Sequence, residues 1–166
     1  MDEHEAFTQW AGERQLALLR TAVLLTGDHH RAEDLVQEAL TKVAVRWRRL
    51  RDGNPEAYAR RVIVRDNISW WRKHRRELVT DVPDRTDTSD GYGASDRRRL
   101  LEDALGALTA RQRAVVVLRY YDDLPERETA ALLGVSVGTV KSQTHLALRR
   151  LREAAPELAD LLQELR

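Results

Sequence analysis

Six polar side chains near the end of the chain carry the clearest chemical signal: Ser136, Thr139, Lys141, Ser142, His145 and Arg149. They fall on one side of a helical repeat, and hydroxyl, ammonium, imidazole and guanidinium groups there can donate to phosphates and base edges. A second set lies in the middle of the chain, where Arg60, Arg61, Arg65, Arg72, Lys73, Arg75 and Arg76 crowd one helix around Trp70, Trp71 and His74. So much positive charge repels itself unless a polyanion neutralises it, and an exposed aromatic ring within it can stack on an unpaired base. The third set, Glu33, Asp34, Gln37 and Glu38, is acidic and lies off the apolar stripe of its helix. By itself such a face is more often solvated surface than a docking site.

Positioning the first set requires two helices and a tight turn. Val140, Thr144, Ala147, Leu148 and Leu151 recur at helical spacing and form the inward stripe of the helix whose outer face carries the donors. Gly134 stops the preceding helix, Glu126 to Leu133, by offering the left-handed backbone, and Ser136 caps the next one. This layout is that of a DNA-reading helix-turn-helix, or of an ordinary helical hairpin with a solvated charged face.

The rest of the chain also reads as helix. Leu16, Leu19, Val23 and Leu24 share a face, and Gly27 with Asp28 closes that helix and opens the next. Ala32, Leu35, Val36, Ala39, Leu40, Val43, Ala44 and Trp47 form the stripe behind the acidic set. Asn54 and Pro55 start the basic helix, in which Tyr58, Val62, Val64, Ile68 and Trp71 face inward and Trp70 is the more exposed of the tryptophan pair. From Glu77 to Asp96, aspartates alternate with Pro83, Gly91, Gly93, Ser and Thr without an apolar period, the composition of a flexible acidic linker. Leu100, Leu101, Ala104, Leu105 and Leu108 open a second module. Thr109 and Gln112 make a capping box ahead of Val115, Val116 and Leu118, and Pro156 starts a tail with Leu158, Leu161, Leu162 and Leu165.

The expected fold is therefore all-α: two small helical domains, at residues 1–76 and 97–153, joined by a flexible linker at 77–96 and followed by a helical tail at 154–166. The 166 residues carry a net charge of +1, so clustering rather than overall charge argues for nucleic acid. There is no cysteine, hence no disulfide and no thiolate metal site. No phosphate-cradling glycine loop and no nucleophile with a base is present. The adjacent His29 and His30 diverge on a helix with no third ligand, so neither metal, cofactor nor enzymatic activity is expected. Without a signal peptide or an apolar run of about 20 residues, the sequence suits the cytoplasm and no membrane insertion.

Two motifs in order give a family resemblance over nearly the whole chain. Ala32-Glu33-Asp34-Leu35-Val36-Gln37-Glu38 is the first. The second joins Leu118-Arg119-Tyr120-Tyr121-Asp122-Asp123-Leu124 to Leu133-Gly134-Val135-Ser136-Val137-Gly138-Thr139-Val140-Lys141-Ser142. At this separation they resemble the extracytoplasmic-function sigma factors, promoter-recognition subunits of bacterial RNA polymerase, and Ser69-Trp70-Trp71-Arg72 resembles their actinobacterial SigE-like subgroup. The resemblance implies that Glu33, Asp34, Gln37 and Glu38 dock on the clamp helices of the polymerase's largest subunit, with the polymerase flap as a second contact. It implies that Arg60, Arg61, Arg65, Trp70, Arg72 and Lys73 hold the minus-10 element. Ser136, Thr139, Lys141, Ser142, His145 and Arg149 would read the minus-35 element. An anti-sigma protein is the further partner it suggests. Arg65 stands where many members have Asn, and Pro125 where Ser or Thr often caps. The competing reading, a dimeric helix-turn-helix regulator, leaves the basic first module without a task, and a helical adaptor that never touches DNA leaves both basic faces unexplained.

Overall fold

The computed structural model describes residues 1–75 and 94–164, and every regular element among them is helical. Helix α1 (Glu3–Thr26) starts at an Asp2–Glu5 capping box and stops at Gly27, whose φ of 68° is the left-handed conformation glycine adopts without strain. Asp28 then caps α2 (His29–Val45), and the short α3 (Trp47–Leu50) follows. Asn54 and Pro55 open α4 (Pro55–His74) as the sequence predicts. The expected linker falls, for residues 77–93, outside the described residues, and 94–96 already belong to α5 (Ala94–Gly106).

The Thr109–Gln112 capping box opens α6 (Ala110–Val116), which widens into a π turn over Val117–Tyr121. Asp123 follows with φ 52°, a value an aspartate tolerates. Helices α7 (Glu126–Leu133) and α8 (Val137–Ala154) form the helix-turn-helix, hinged at Gly134 with φ 67°. Pro125 precedes α7 with no side-chain cap, and Ser136 caps α8. The tail forms α9 (Pro156–Glu164) and lies on its own module: Ala155 and Ala159 are buried with Leu105, Leu108, Leu148 and Leu151. The side chains of Leu161 and Leu165 lie outside the described residues.

In the N-terminal half, α1, α2 and α4 enclose Leu18, Leu25, Val36, Val43 and Ile63. Ala114, Val117, Leu118 and Leu132 of the C-terminal half belong to that same core. The two halves, expected to share only a tether, are packed against each other. This explains why the inward face of α1 is wider than the expected one: Leu19, Val23 and Leu24 do pack on the core, but they are not its most buried positions. Leu18, Thr21, Ala22 and Leu25 are the buried positions, Leu16 is 55 % exposed, and Leu24 packs on the core of the C-terminal half. A helix covered on two sides has no single apolar stripe to read. Similarly Ala59, Ile63, Val64 and Asn67 are the buried positions of α4, with Tyr58, Val62, Ile68 and Trp71 half-buried, and Ala44 of α2 is exposed.

Candidate nucleic-acid interface

Helix α8 sorts its residues as its sequence predicts. Val140, Thr144, Ala147, Leu148 and Leu151 are its buried positions, while Lys141, Ser142, His145 and Arg149 are exposed on the other side. The hydroxyls are partly committed to the backbone: Ser136 Oγ accepts from Thr139 N at 3.1 Å, and Ser142 Oγ donates to the Thr139 carbonyl at 3.0 Å. Lys141 Nζ lies 3.9 Å from Glu126 on α7 with its side chain 64 % exposed, a loose pair that a phosphate can displace. This face is open to solvent, apart from the half-buried Thr139.

The basic helix α4 is different, because the C-terminal half covers part of it. Arg61, Arg72 and Lys73 are exposed, whereas Arg60 is bonded to Glu56 at 2.8 Å and paired at 3.3 Å with Asp122, just past the π turn. Asp122 also accepts from Thr21 Oγ1 of α1 at 2.9 Å, and burial pushes its carboxyl above the ordinary range despite the nearby Arg60. Arg65 Nε donates to the Leu132 carbonyl at 3.2 Å, and its guanidinium lies so close to Gly134 that a Cβ there would come within 2.9 Å of it.

Trp70 does not offer the free stacking face expected of it. The Arg31 guanidinium lies 3.5 Å from the ring centroid and the His74 imidazole stacks at 4.1 Å. Two groups that close cannot share one face, so both faces are taken. Trp71 meets it in a T-shaped contact with centroids 5.2 Å apart; both residues are half-buried, and the Trp71 Nε1 is buried.

Behind this pair is a polar cluster that the sequence does not announce. Leu25 is in the last turn of α1, where carbonyls lack helical partners. Its carbonyl accepts from Asn67 Nδ2 at 3.2 Å and from Arg113 Nη1 at 3.0 Å. Arg113 is 6 % exposed, also donates to the Leu105 carbonyl, and has its guanidinium pushed below the ordinary value by burial. Arg31, lowered to about 10 chiefly by burial, donates to Asn67 Oδ1 at 2.6 Å. The available hint was position: Arg113 precedes Val116 and Val117 by one helical turn, on a face otherwise apolar.

The acidic set on α2 is exposed throughout. Glu33 pairs with His29 at 3.0 Å and Glu38 with Lys42 at 3.2 Å, while a hydrogen bond to Asp66 holds the Lys42 ammonium above its ordinary value. Among the described residues Asp34 and Gln37 make no side-chain bond, no group of acidic, histidine or cysteine side chains has metal-binding geometry, and no helix is long and apolar enough to cross a membrane.

Comparison with known proteins places this two-part helical architecture in a family. Residues 13–77 match the family model of sigma-70 region 2, and residues 98–151 match that of sigma-70 region 4. The chain is 42 % identical over 155 residues to the RNA polymerase sigma-E factor of Streptomyces coelicolor, covering 92 % of this chain and 88 % of that protein. It is 36 % identical over 153 residues to the ECF RNA polymerase sigma factor SigL of Mycobacterium tuberculosis, covering 88 % and 86 %. A co-crystal structure of the sigma factor RpoE with the anti-sigma factor NepR from Bartonella quintana contains a chain that superposes with a TM-score of 0.74 at 28 % identity, covering 91 % of this chain and 97 % of that one. The chain belongs to the sigma-70 family, as an extracytoplasmic-function sigma factor of the actinobacterial SigE-like kind. Its function follows from that membership: it binds core RNA polymerase and directs initiation at promoters recognised through minus-35 and minus-10 elements.

Proposed function

We infer that this function divides among three faces. Helix α8 enters the major groove of the minus-35 element with Ser136, Thr139, Lys141, Ser142, His145 and Arg149. Helix α4 holds the minus-10 strand with Arg60, Arg61, Arg65, Trp70, Arg72 and Lys73. Glu33, Asp34, Gln37 and Glu38 of α2 dock on the clamp helices of the polymerase's largest subunit, and the C-terminal domain (97–153) meets the flap. The observation that carries the assignment is α8 itself, where a fully buried apolar stripe backs an exposed row of donors. The protein acts in the cytoplasm without chemistry of its own, and an anti-sigma factor is a further partner, in keeping with the complex formed by the Bartonella relative.

The closed arrangement is then a resting form. By their names the two promoter elements lie about 25 base pairs apart, roughly 85 Å at about 3.4 Å per pair. A compact chain of 166 residues has a radius of gyration of about 15 Å and so a diameter of roughly 40 Å. Both elements can be held only if the halves separate, which also frees Arg60 from Asp122 and Arg65 from the Leu132 carbonyl. Hydroxyl-radical footprinting of the reconstituted holoenzyme tests the assignment. Arg61→Ala with Lys73→Ala should weaken protection near minus-10, and Lys141→Ala with Arg149→Ala protection near minus-35. Loss at the opposite element in either case overturns it.

A further inference from the structure

Between the two halves a recess of about 160 Å³ opens beside the Arg65–Gly134 contact. Its lining includes three arginines, Arg65 and Arg72 from α4 and Arg111 from α6, together with the apolar side chains of Ile68, Val115, Leu133 and Val140. Ser69 and Thr139 add hydroxyls, and no acidic side chain is part of the lining. Among the described residues none of the three arginines has a carboxylate partner: Arg65 commits only Nε, to a backbone carbonyl, and Arg72 and Arg111 are exposed. Three arginines on one recess, beside apolar side chains and without a carboxylate, leave positive charge there for an anion to neutralise.

The dimensions decide what fits. An apolar cavity of about 150 Å³ holds a benzene ring, so this recess has room for one ring-sized apolar group. A phosphate presents three terminal oxygens, enough to bridge guanidiniums from two helices, where a carboxylate presents two.

We propose that this recess is a binding site for a small phosphate monoester carrying one ring-sized apolar group, and that the ligand bridges α4 to α6. A ligand held by both halves binds the closed form and not the open one, so it shifts the population toward closure. Arg65, Arg72 and Thr139 are shared with the proposed promoter contacts whereas Arg111 is not, so binding tested at Arg111 stands apart from that assignment.

Calorimetric titration of the full chain at low salt with phenyl phosphate, inorganic phosphate and benzoate tests the site. Phenyl phosphate should bind one to one and at least tenfold more tightly than either of the others, since each of those lacks one half of the recognition. Arg111→Glu should weaken phenyl phosphate binding by tenfold or more at unchanged thermal stability, and Arg111→Gln by a smaller factor. Arg127→Glu, an exposed arginine outside the lining, should bind as wild type does. Equal affinity for phenyl phosphate and inorganic phosphate, tighter benzoate binding, or an Arg111→Glu variant that binds normally overturns the proposal.

Discussion

Asp122→Ala and Asp122→Asn should behave differently, and the difference measures how the seam between the halves is held. The Asp122 side chain is 7 % exposed, accepts from Thr21 Oγ1 at 2.9 Å and lies 3.3 Å from Arg60 Nε. Truncation to alanine deletes a hydrogen bond to a charged acceptor, worth about 1.5–3 kcal/mol. Arg60 is not stranded, because Glu56 remains at 2.8 Å. Against that loss stands the recovered hydration of the carboxylate, since burial is the largest influence on Asp122 and outweighs the attraction of Arg60. A balance of about 1 kcal/mol remains, a roughly fivefold rise in the open fraction. Asparagine keeps an oxygen to accept from Thr21 and removes the charge, so that variant should stay closed.

The pH dependence has a definite sign. The closed form holds the Asp122 proton more tightly than the open form does, so protonation favours closure. That contribution is complete below the ordinary aspartate value of about 3.9 and is lost as pH rises through the raised value. Because the chain has no cysteine, dyes can be placed on Arg49→Cys and Glu153→Cys, both exposed, and energy transfer reports the distance between the halves. The wild-type open fraction should fall as pH goes from 7 toward 4, and Asp122→Asn should lose this slope. An Asn variant as open as the Ala variant, or a wild type that opens on acidification while Asn stays flat, refutes the reasoning.

Three further outcomes follow from the same geometry. Lys141→Ala or Arg149→Ala should weaken promoter binding by on the order of 1 kcal/mol and reduce its salt slope by about one; an unchanged slope removes these side chains from the phosphate contacts. Asp34→Arg with Gln37→Arg, at exposed positions, should abolish capture of core polymerase while leaving the melting curve in place, and normal capture moves the docking face elsewhere. Gly134→Ala forces a Cβ onto φ 67° and to 2.9 Å from Arg65 Nη2, so it should cost about 1–2 kcal/mol and lower Tm by several degrees; an unshifted Tm means the turn relaxes at no cost.

What the sequence made legible was local. Gly27, Asp28, Asn54, Pro55, the Thr109–Gln112 box, Gly134 and Ser136 each act on backbone within a few residues, and the stripe of α8 faces a single neighbour. The misreadings occur where one element meets two neighbours distant in sequence. Leu16 was a reasonable core position for a helix covered once, but α1 is covered twice and turns Leu18 and Leu25 inward instead. Trp70 was reasonably the outer ring of its pair, yet its faces are closed by Arg31, 39 residues earlier, and by His74. Arg113 and Asn67 gave no periodic signal, because a buried polar residue matters through the carbonyl it meets, here that of Leu25.

The seam also limits which ligands can open the protein. Separation returns Ala114, Val117, Leu118 and Leu132 to water, along with the α1 and α4 surfaces they cover. At about 1.5–3 kcal/mol for each fully buried Val or Leu, as an upper estimate, this burial is the main term that opening works against. A ligand shifts that equilibrium only by binding the two forms unequally. The acidic face of α2 and nearly all of the reading face of α8 are already exposed in the closed form. Contacts confined to those faces therefore add affinity without adding openness. The residues that distinguish the forms are those the seam occupies: Arg60 and Arg65 on one side, the π turn and the Leu132–Gly134 corner on the other. Opening is favoured by a surface that takes up these groups, and on the proposed assignment of α4 that surface is the minus-10 strand.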